Sequence, residues 1–288
     1  MNNEQKDVSR RNFLAKTTMA AGSLGVASLL TTEVSGATDN ENRRPDADKV
    51  AIVTGSSRGI GAAIARRLAA QGYKVTVNCV VNRDLAKNVV REIKEKGGEA
   101  IWLQADVRDP KAVSELFDLT DKTFGGVDVV VNNAGVMKLS PFASMTDEDF
   151  DYVINTNVKG GFNVLREAAR RVRDQGRIIS TSSSITLLKT ETYGPYAASK
   201  AALQIYSSAL AKELAGRQIS VNTIAPGVVN TTLFTDGKTE EQIKTFAQKT
   251  PHGRIGEPED IAEVVSALCS SPCSWINGET IFANGGLV

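Results

Sequence analysis

The residues with the clearest chemical potential are a tyrosine and a lysine four positions apart, Tyr196 and Lys200, in the segment YAASK. On a helix this spacing places both side chains on one face, one turn apart. An ammonium close to a phenol favours the phenolate, so the spacing predicts a Tyr196 pKa below its ordinary value of about 10. A tyrosine tuned in this way can act as a general acid or base. Two rival tyrosines, Tyr193 and Tyr206, have no lysine four residues later.

A glycine-rich segment has the sequence context of a dinucleotide-binding loop. The apolar run at 50–53 predicts a buried strand, and the pattern at 60–70 predicts a helix with an apolar face. Between them, Gly55, Gly59 and Gly61 let the backbone approach phosphates, and the helix N-terminus supplies partial positive charge. The spacing is G-x-x-x-G-x-G, which differs from the usual G-x-G-x-x-G, and a tight turn without a ligand is the alternative.

With these motifs in view, the chain from about Lys49 onward resembles the classical short-chain dehydrogenase/reductase family, in particular its 3-oxoacyl-[acyl-carrier-protein] reductase-like members. The resemblance implies hydride transfer between a nicotinamide cofactor and a ketone or secondary alcohol, without specifying the substrate. It rests on segments that match the family's motifs in order: TGSSRGIG (54–61), NNAG (132–135), NTNVKG (155–160), PGVVNT (226–231), RIGEPEDIA (254–262) and WINGETIFANGG (275–286).

The resemblance implies a catalytic tetrad of Asn157, Ser183, Tyr196 and Lys200. In this assignment Tyr196 exchanges a proton with the substrate oxygen, which Ser183 orients by a hydrogen bond. Lys200 lowers the tyrosine pKa and holds the nicotinamide ribose. Asn157 holds a water that connects Lys200 to solvent.

Neighbouring side chains are alternatives for two members of this tetrad. Ser182 and Ser184 flank Ser183, and only the spacing to the tyrosine selects the middle serine. Asn155 lies close to Asn157, whose side chain has the plainer alternative of bridging or kinking a helix.

The resemblance also implies a cofactor-binding set spread over the chain. Asp106 is its expected adenine contact, with the N-cap of a helix at 107–124 as an alternative role. Val229 and Thr231 are expected to hold the carboxamide end. The full set is Gly55, Ser57, Arg58, Gly59, Ile60, Gly61, Asn78, Asp106, Val107, Asn133, Ala134, Gly135, Tyr196, Lys200, Pro226, Gly227, Val229 and Thr231.

The end of the second predicted strand indicates which dinucleotide is preferred. NAD-binding enzymes of this type place an acid there, to bind the ribose 2′-hydroxyl. Here residues 78–80 contain no acid, and the first one, Asp84, already lies in the next helix. Arg58, assisted by Arg83, is expected to bind a 2′-phosphate through forked guanidinium donors. The sequence therefore predicts NADP(H), with NAD(H) as the alternative.

Short apolar segments alternate with helical ones from residue 49 to the C-terminus. This alternation predicts a single domain, 49–288, with a Rossmann-like, doubly wound parallel sheet in a three-layer α/β/α arrangement. Strands are predicted at 50–53, 74–80, 100–104, 127–131, 176–182, 217–223 and 279–283. Helices are predicted at 59–71, 83–96, 110–124, 147–173, 195–215, 239–248 and 258–270.

Three segments are expected to line a mostly apolar substrate pocket: 136–137, 185–195 with Leu187 and Leu188, and 228–251 with Leu233, Phe234 and Phe246. The third contains a glycine and a charged helix, which is typical of a mobile lid. The single histidine, His252, is expected at the surface or the pocket rim.

Composition excludes several other classes of protein. The 288 residues carry a net charge of +1, which gives no bulk attraction for nucleic acid. One histidine and three cysteines, without a C-x-x-C or histidine cluster, predict no metal site. Cys269 and Cys273 are expected to be thiols rather than a disulfide.

The N-terminal segment is expected to lie outside the fold. SRRNFLAK with Arg10-Arg11, an apolar stretch at 17–30 and the small residues 35–37 resemble a twin-arginine export signal, although Lys16 falls one place later than usual. We expect a signal at 1–37, a polar leader at 38–48 and an exported, periplasmic or extracytoplasmic enzyme without stable membrane insertion. The alternative is a disordered or amphipathic extension on a cytoplasmic protein.

The most favoured function is that of an NADP-dependent ketone/alcohol oxidoreductase acting on a small molecule. The family resemblance also implies a homotetramer, associated through 147–173, 195–215 and 275–288. An NAD-dependent sugar or steroid alcohol dehydrogenase is one alternative function. A cofactor-binding sensor or scaffold that kept the fold is another, because fold alone does not establish activity.

Overall fold

Seven parallel strands form the centre of the molecule in the computed structural model, which describes residues 48–288. They are β1 (Val50–Val53), β2 (Lys74–Cys79), β3 (Ala100–Gln104), β4 (Val127–Asn132), β5 (Val172–Thr181), β6 (Ser220–Pro226) and β7 (Thr280–Ala283). Their order across the sheet is β3-β2-β1-β4-β5-β6-β7, which confirms the predicted fold class. The order reverses between β1 and β4, and such a point leaves a crevice outside the carboxyl ends of the strands.

Helices cover both faces of this sheet. They are α1 (Gly59–Gln71), α2 (Arg83–Glu95), α3 (Pro110–Phe124), α4 (Asp147–Val153), α5 (Gly161–Arg171), α6 (Ile185–Leu188), α7 (Gly194–Glu213), α8 (Thr232–Thr235), α9 (Glu240–Lys249) and α10 (Pro258–Cys269). Short 3₁₀ turns lie at Phe142–Ser144 and Ser271–Cys273, and a π-helical segment at Ile154–Gly160 joins α4 to α5.

The alternation of side chains along β1 divides the core into two layers. Ala51 and Val53 pack in the cluster that includes residues of α1, α2 and α10, whereas Ile52 packs in the cluster that includes residues of α3, α5 and α7. Because both faces of a central parallel strand are covered, the strand is apolar throughout rather than alternating.

The helix predicted at 147–173 is wrong as a single element. Its middle widens into the π-helical segment, and its last two residues belong to β5. Two adjacent glycines allow close packing where the π-helical segment meets α5. A Cβ on Gly160 would lie 2.7 Å from a methyl of Val107, and one on Gly161 would lie 2.6 Å from a methyl of Leu203.

The strand predicted at 217–223 is displaced to 220–226. A turn occupies the residues before it, with Gly216 at φ +88° and Gln218 at φ +55°, and this turn delays the extended backbone. The strand predicted at 176–182 begins earlier, because Val172 already pairs with Val127 before the register shifts. The other predicted elements agree with the structure to within two residues. The short helices α6 and α8 were not predicted.

All three cysteines of the chain are free thiols, as expected for Cys269 and Cys273. Within residues 48–288, no helix combines the length and apolarity needed to cross a membrane. The predicted export signal at 1–37, and all but the last residue of the leader, lie outside the described residues.

Candidate active site

A cavity of about 420 Å³ lies beyond the carboxyl ends of the central strands. This volume is in the range of small-molecule and cofactor sites. Every residue of the predicted cofactor-binding set except Asn78 lines it, and so does Ser183. The sequence motifs therefore meet in one cleft, although they are separated by up to 176 positions in the chain, from 55 to 231.

The glycine loop at one end of the cleft is shaped as a cradle that side chains would fill. Gly55 has φ +62°, and a Cβ there would lie 2.9 Å from the Ala134 Cα. A Cβ on Gly61 would lie 2.5 Å from both the Asn133 Nδ2 and the Gly55 carbonyl oxygen. At the start of α1, Arg58 makes no side-chain capping bond. The first N–H groups of α1 therefore remain able to donate hydrogen bonds to a bound anion.

Hydrogen bonds from β4 and β2 hold this loop in place. Asn133 Nδ2 donates to the Thr54 carbonyl oxygen at 2.9 Å, and Ala134 N donates to Thr54 Oγ1 at 3.0 Å. Asn78 Oδ1 accepts from Gly55 N at 3.0 Å, and its Nδ2 donates to the Ala105 carbonyl oxygen at 2.9 Å.

Asn78 is therefore a correction to the predicted cofactor-binding set. Its side chain is fully buried and supports the loop from behind, whereas residues 79–82 form the cavity wall. The physical reason is the pleat of the strand, because successive side chains point to opposite faces of the sheet.

Two charged residues beside the cleft differ from expectation in their contacts. Arg83 Nε donates to Gln104 Oε1 at 2.5 Å and does not line the cavity, so it is not placed to assist Arg58. The predicted N-cap role of Asp106 is wrong, because Asp109 caps α3 by accepting from Lys111 N at 2.9 Å.

Asp106 instead pairs with the residue two positions later. Its carboxylate accepts from Arg108 N at 2.9 Å and from the Arg108 guanidinium at 2.6 Å. These hydrogen bonds hold the pKa of the Asp106 carboxyl below its ordinary value. Asp106 still lines the cavity, as an ionised wall residue.

Arg58 is exposed at the edge of the cavity and forms no ion pair within residues 48–288. Nothing acidic lies on the neighbouring wall at 79–82. Its guanidinium is therefore free to receive a phosphate.

Tyr196 and Lys200 lie on the first turns of α7, on one face, as their spacing predicts. Both are buried, with exposed fractions of 7% and 4%. Lys200 Nζ lies 5.8 Å from the centroid of the Tyr196 ring and donates to the Thr181 carbonyl oxygen at 2.9 Å.

The predicted fall in the Tyr196 pKa is wrong for the protein without its cofactor. Burial raises the pKa of Tyr196 to about 12, and a hydrogen bond with the Ser183 hydroxyl only partly opposes this rise. Burial also lowers the pKa of Lys200 to about 8. The loss of hydration on burial disfavours the charged form of each group.

All three serines of the run line the cavity, but only Ser183 is partly exposed and hydrogen-bonded to the Tyr196 hydroxyl. Ser182 Oγ donates to the Lys200 carbonyl oxygen at 2.8 Å, and Ser184 Oγ donates to the Ala225 carbonyl oxygen at 3.2 Å. Both of these serines are buried, whereas Ser183 is partly exposed. Hydrogen bonding therefore favours Ser183, the serine that the spacing to the tyrosine selected.

Asn157 lies in the π-helical segment and is 1% exposed, whereas Asn155 is exposed. Its Oδ1 accepts from Val136 N at 2.8 Å, and its Nδ2 donates to the Val136 carbonyl oxygen and to Ser199 Oγ, each at 2.9 Å. The side chain thus ties the segment after β4 to α7. Departures from the α-helix of this kind are frequent at functional sites.

The far end of the cavity is mostly apolar, as expected. Leu187 is a correction, because it is 53% exposed and lies outside the wall. His252 is exposed and does not line the cavity, which confirms its predicted place. The apolar and aromatic wall consists of Val136, Met137, Ile185, Leu188, Tyr193, Leu233, Phe234, Phe246 and Leu287.

Tyr193, the residue before α7, lies in the segment 185–195 that was expected to line the pocket, although the sequence gave it no role of its own. Leu287 and Thr156 also line the cavity and were missed, because no local signal marked them. Within residues 48–288, no group of three or more histidine, cysteine, aspartate or glutamate side chains is placed to hold a metal.

Comparison with known proteins identifies the family. A family model described as enoyl-(acyl carrier protein) reductase matches residues 55–288. Versicolorin reductase stcU of Emericella nidulans is 41% identical, over 86% of this chain and 98% of its own. A Burkholderia cenocepacia short chain dehydrogenase in complex with NADP has a TM-score of 0.79 and 36% identity, covering 84% of this chain and 98% of its own. The angucycline C-6 ketoreductase LanV with bound NADP has a TM-score of 0.79 and 35% identity, with coverages of 84% and 96%.

The chain belongs to the short-chain dehydrogenase/reductase family. It is accordingly an oxidoreductase that acts on CH–OH or C=O groups with a nicotinamide dinucleotide.

Proposed function

We propose that this enzyme reduces flat, apolar ring ketones with NADPH, using Tyr196 as the proton donor. The observation that carries the proposal is the shape of one cleft. Its glycine cradle and free Arg58 lie at one end, and Ser183 with Tyr196 lies beside an apolar wall at the other.

The residues at the cradle fit a dinucleotide with a 2′-phosphate. Gly55 and Gly61 leave room that any Cβ would fill, and the uncapped start of α1 offers N–H donors to a pyrophosphate. Arg58 offers an unpaired guanidinium, and residues 79–82 offer no carboxylate to repel the added phosphate. Two relatives of known structure were solved with NADP, which supports the same choice here.

The catalytic roles follow from the protonation states that burial imposes. Because the pKa of Tyr196 is about 12, its phenol carries its proton at neutral pH and is ready to give it to a carbonyl oxygen. Ser183, hydrogen-bonded to that phenol, orients the substrate oxygen. When bound, the cofactor supplies the hydride, so one hydride and one proton convert the ketone to an alcohol.

Lys200 and Asn157 support these two groups. At neutral pH most of Lys200 remains cationic, since its pKa is about 8, and we propose that its ammonium holds the nicotinamide ribose and returns a proton toward Tyr196. Asn157 ties the segment after β4 to α7. The water link from Lys200 to solvent is proposed to run beside Asn157.

The apolar wall indicates the class of ketone. Phe234 and Phe246 pack edge to face, with ring centroids 5.1 Å apart, and Leu188 and Leu233 extend the same surface. Such a wall favours planar rings over sugars, which need many polar partners. The names of two relatives, versicolorin reductase and an angucycline C-6 ketoreductase, support a reductase that acts on a ketone.

The acid role of Tyr196 is tested with 1-tetralone, NADPH and the variant Tyr196→Phe. We expect the variant to lose at least ~100-fold in rate, as removal of a general acid predicts, while NADPH still binds within about threefold. Tyr206→Phe, on the same helix but outside the cavity, is the matched control. Retention of the rate within tenfold would remove Tyr196 as the acid.

The cofactor preference is tested by fluorescence titration with NADPH and NADH. We expect NADPH to bind at least ~10-fold more tightly, about 1.4 kcal/mol, and Arg58→Ala to remove most of that difference without changing NADH binding. Arg67→Ala, a partly exposed arginine on α1 that pairs with Glu263, is the control. Equal affinities of the parent enzyme for the two cofactors would refute the assignment.

We also propose that the mature protein is a homotetramer exported through its twin-arginine-type N-terminus. The family resemblance supports the first statement, and Arg10-Arg11 with the small residues 35–37 support the second. Light scattering that shows a monomer at micromolar concentration would contradict the tetramer. Uncleaved cytoplasmic protein, identical for the parent and an Arg10→Lys, Arg11→Lys variant, would contradict export.

A further inference from the structure

A second tyrosine stands beside the catalytic one in the substrate half of the cleft. Tyr193 is half-buried and lines the cavity, and its ring meets the ring of Tyr196 edge to face, with centroids 6.4 Å apart. Within residues 48–288, no hydrogen bond involves its hydroxyl, and that oxygen is not one of the fully buried polar atoms that lack a partner. The hydroxyl is therefore open to the cavity and able to bond to a ligand.

The backbone before Tyr193 is held in an unfavourable conformation that fixes its position. Thr192, a β-branched residue, has φ +69°, a region that such residues rarely adopt. Its carbonyl oxygen accepts from Ser140 N at 3.1 Å, which ties the turn to the segment after β4. Strain of about 1–3 kcal/mol of this kind persists where the surroundings enforce it, and it clusters at ligand sites.

Apolar side chains, among them Leu188 and Phe234, line the cavity together with several hydroxyl groups. Of these hydroxyls, Ser183 and Tyr196 are proposed to act on the reacting oxygen, and Thr190 lies three residues before Tyr193 in the chain. Because the two rings lie only 6.4 Å apart, a ring ketone that bonds to both phenols would present two oxygens, of which one is reduced and the other is only bound.

We propose that Tyr193 is a specificity-determining residue whose hydroxyl binds a second oxygen of the substrate, so that the preferred substrates are hydroxylated ring ketones. This inference rests on the proposed function and deepens it from ring ketones to ring ketones with a further hydroxyl. Tyr193 takes no part in proton transfer, which stays with Tyr196.

The test compares 1-tetralone with its 5-, 6-, 7- and 8-hydroxy derivatives, with NADPH as the reductant and chromatography of the alcohols as the readout. The parent enzyme should prefer at least one hydroxy derivative to 1-tetralone. Tyr193→Phe keeps the ring and its packing on Tyr196 but removes the oxygen. It should lower kcat/KM for the preferred derivative about tenfold, the upper range for one neutral hydrogen bond, and leave 1-tetralone within about twofold.

Two controls separate this role from a structural one. Tyr206→Phe should leave kcat/KM unchanged for both 1-tetralone and the preferred hydroxy derivative. The thermal midpoint of Tyr193→Phe should match that of the parent, because no hydrogen bond to the removed hydroxyl is present within residues 48–288.

The inference would be overturned if Tyr193→Phe lost kcat/KM equally for 1-tetralone and the hydroxy derivative, or if the parent preferred no hydroxy derivative. Either result would leave the proposed function intact. If the parent reduces none of the five ketones, both the proposed substrate class and the inference fail.

Discussion

Replacing Lys200 with methionine should make the protein without cofactor more stable while abolishing its activity. Lys200 is 4% exposed, and burial lowers its pKa from 10.5 to about 8. The buried ammonium of Lys200 thus lowers the free energy of unfolding, as is common for groups that serve a function. Methionine has a similar length and a similar helix propensity, so the change removes chiefly the charge and its one hydrogen bond.

The size of the effect follows from linkage. The folded protein binds fewer protons than the unfolded chain between about pH 8 and pH 10.5, so this lysine destabilises the fold at neutral pH and ceases to do so as pH rises through that window. The cost is about 3 kcal/mol at pH 7 and about 1 kcal/mol at pH 10. Loss of the bond to the Thr181 carbonyl oxygen offsets about 1 kcal/mol. The expected net gain is about 2 kcal/mol at pH 7 and close to zero at pH 10.

Urea unfolding at pH 7 and at pH 10, at one protein concentration and without cofactor, measures this difference. Lys212→Met, an exposed lysine on the same helix, should change stability by less than about 0.5 kcal/mol at either pH. The reasoning would be refuted if Lys200→Met were less stable than the parent at pH 7. It would also be refuted if the free energy of unfolding changed by the same amount at pH 7 and pH 10.

Three further outcomes follow from the site. Gly61→Ala should abolish NADPH binding in titration, since its Cβ would lie 2.5 Å from Asn133 Nδ2; binding within threefold of the parent would contradict the cradle. Ser183→Ala should lower ketone reduction by about 10-fold or more with a normal unfolding midpoint, whereas Ser182→Ala, which removes a buried bond, should lower stability by about 1 kcal/mol. The value of kcat/KM for NADPH should fall above about pH 8 as Lys200 loses its proton, and a flat profile to pH 9.5 would oppose its role.

The parts of this protein that the sequence predicted well depend on neighbours close in the chain. The apolar run of β1, the glycines that follow it and the helical spacing of Tyr196 and Lys200 each act within one or two turns. Local chemistry of this kind specifies an element and the face on which a side chain lies. The alternation of apolar and helical segments predicted the fold class, and the motifs in their order indicated the family.

The errors concern residues whose role depends on distant partners. Asn78 turned out to support the glycine loop, because the pleat of β2 points it away from the cleft. The helix predicted at 147–173 is interrupted where Gly160 and Gly161 meet Val107 and Leu203, and a pattern of apolar residues does not register such close packing.

The residue pattern was enough to predict a parallel α/β sheet, a glycine loop at its switch point and a tyrosine with its lysine on one helix face. The partial exposure of Ser183 and the protonation of Tyr196 and Lys200 depend instead on the folded structure. Spacing predicted that the lysine would lower the tyrosine pKa, yet burial moves both groups toward their neutral forms. The physical reason is that desolvation depends on everything that packs around a group, and most of those atoms come from elsewhere in the chain.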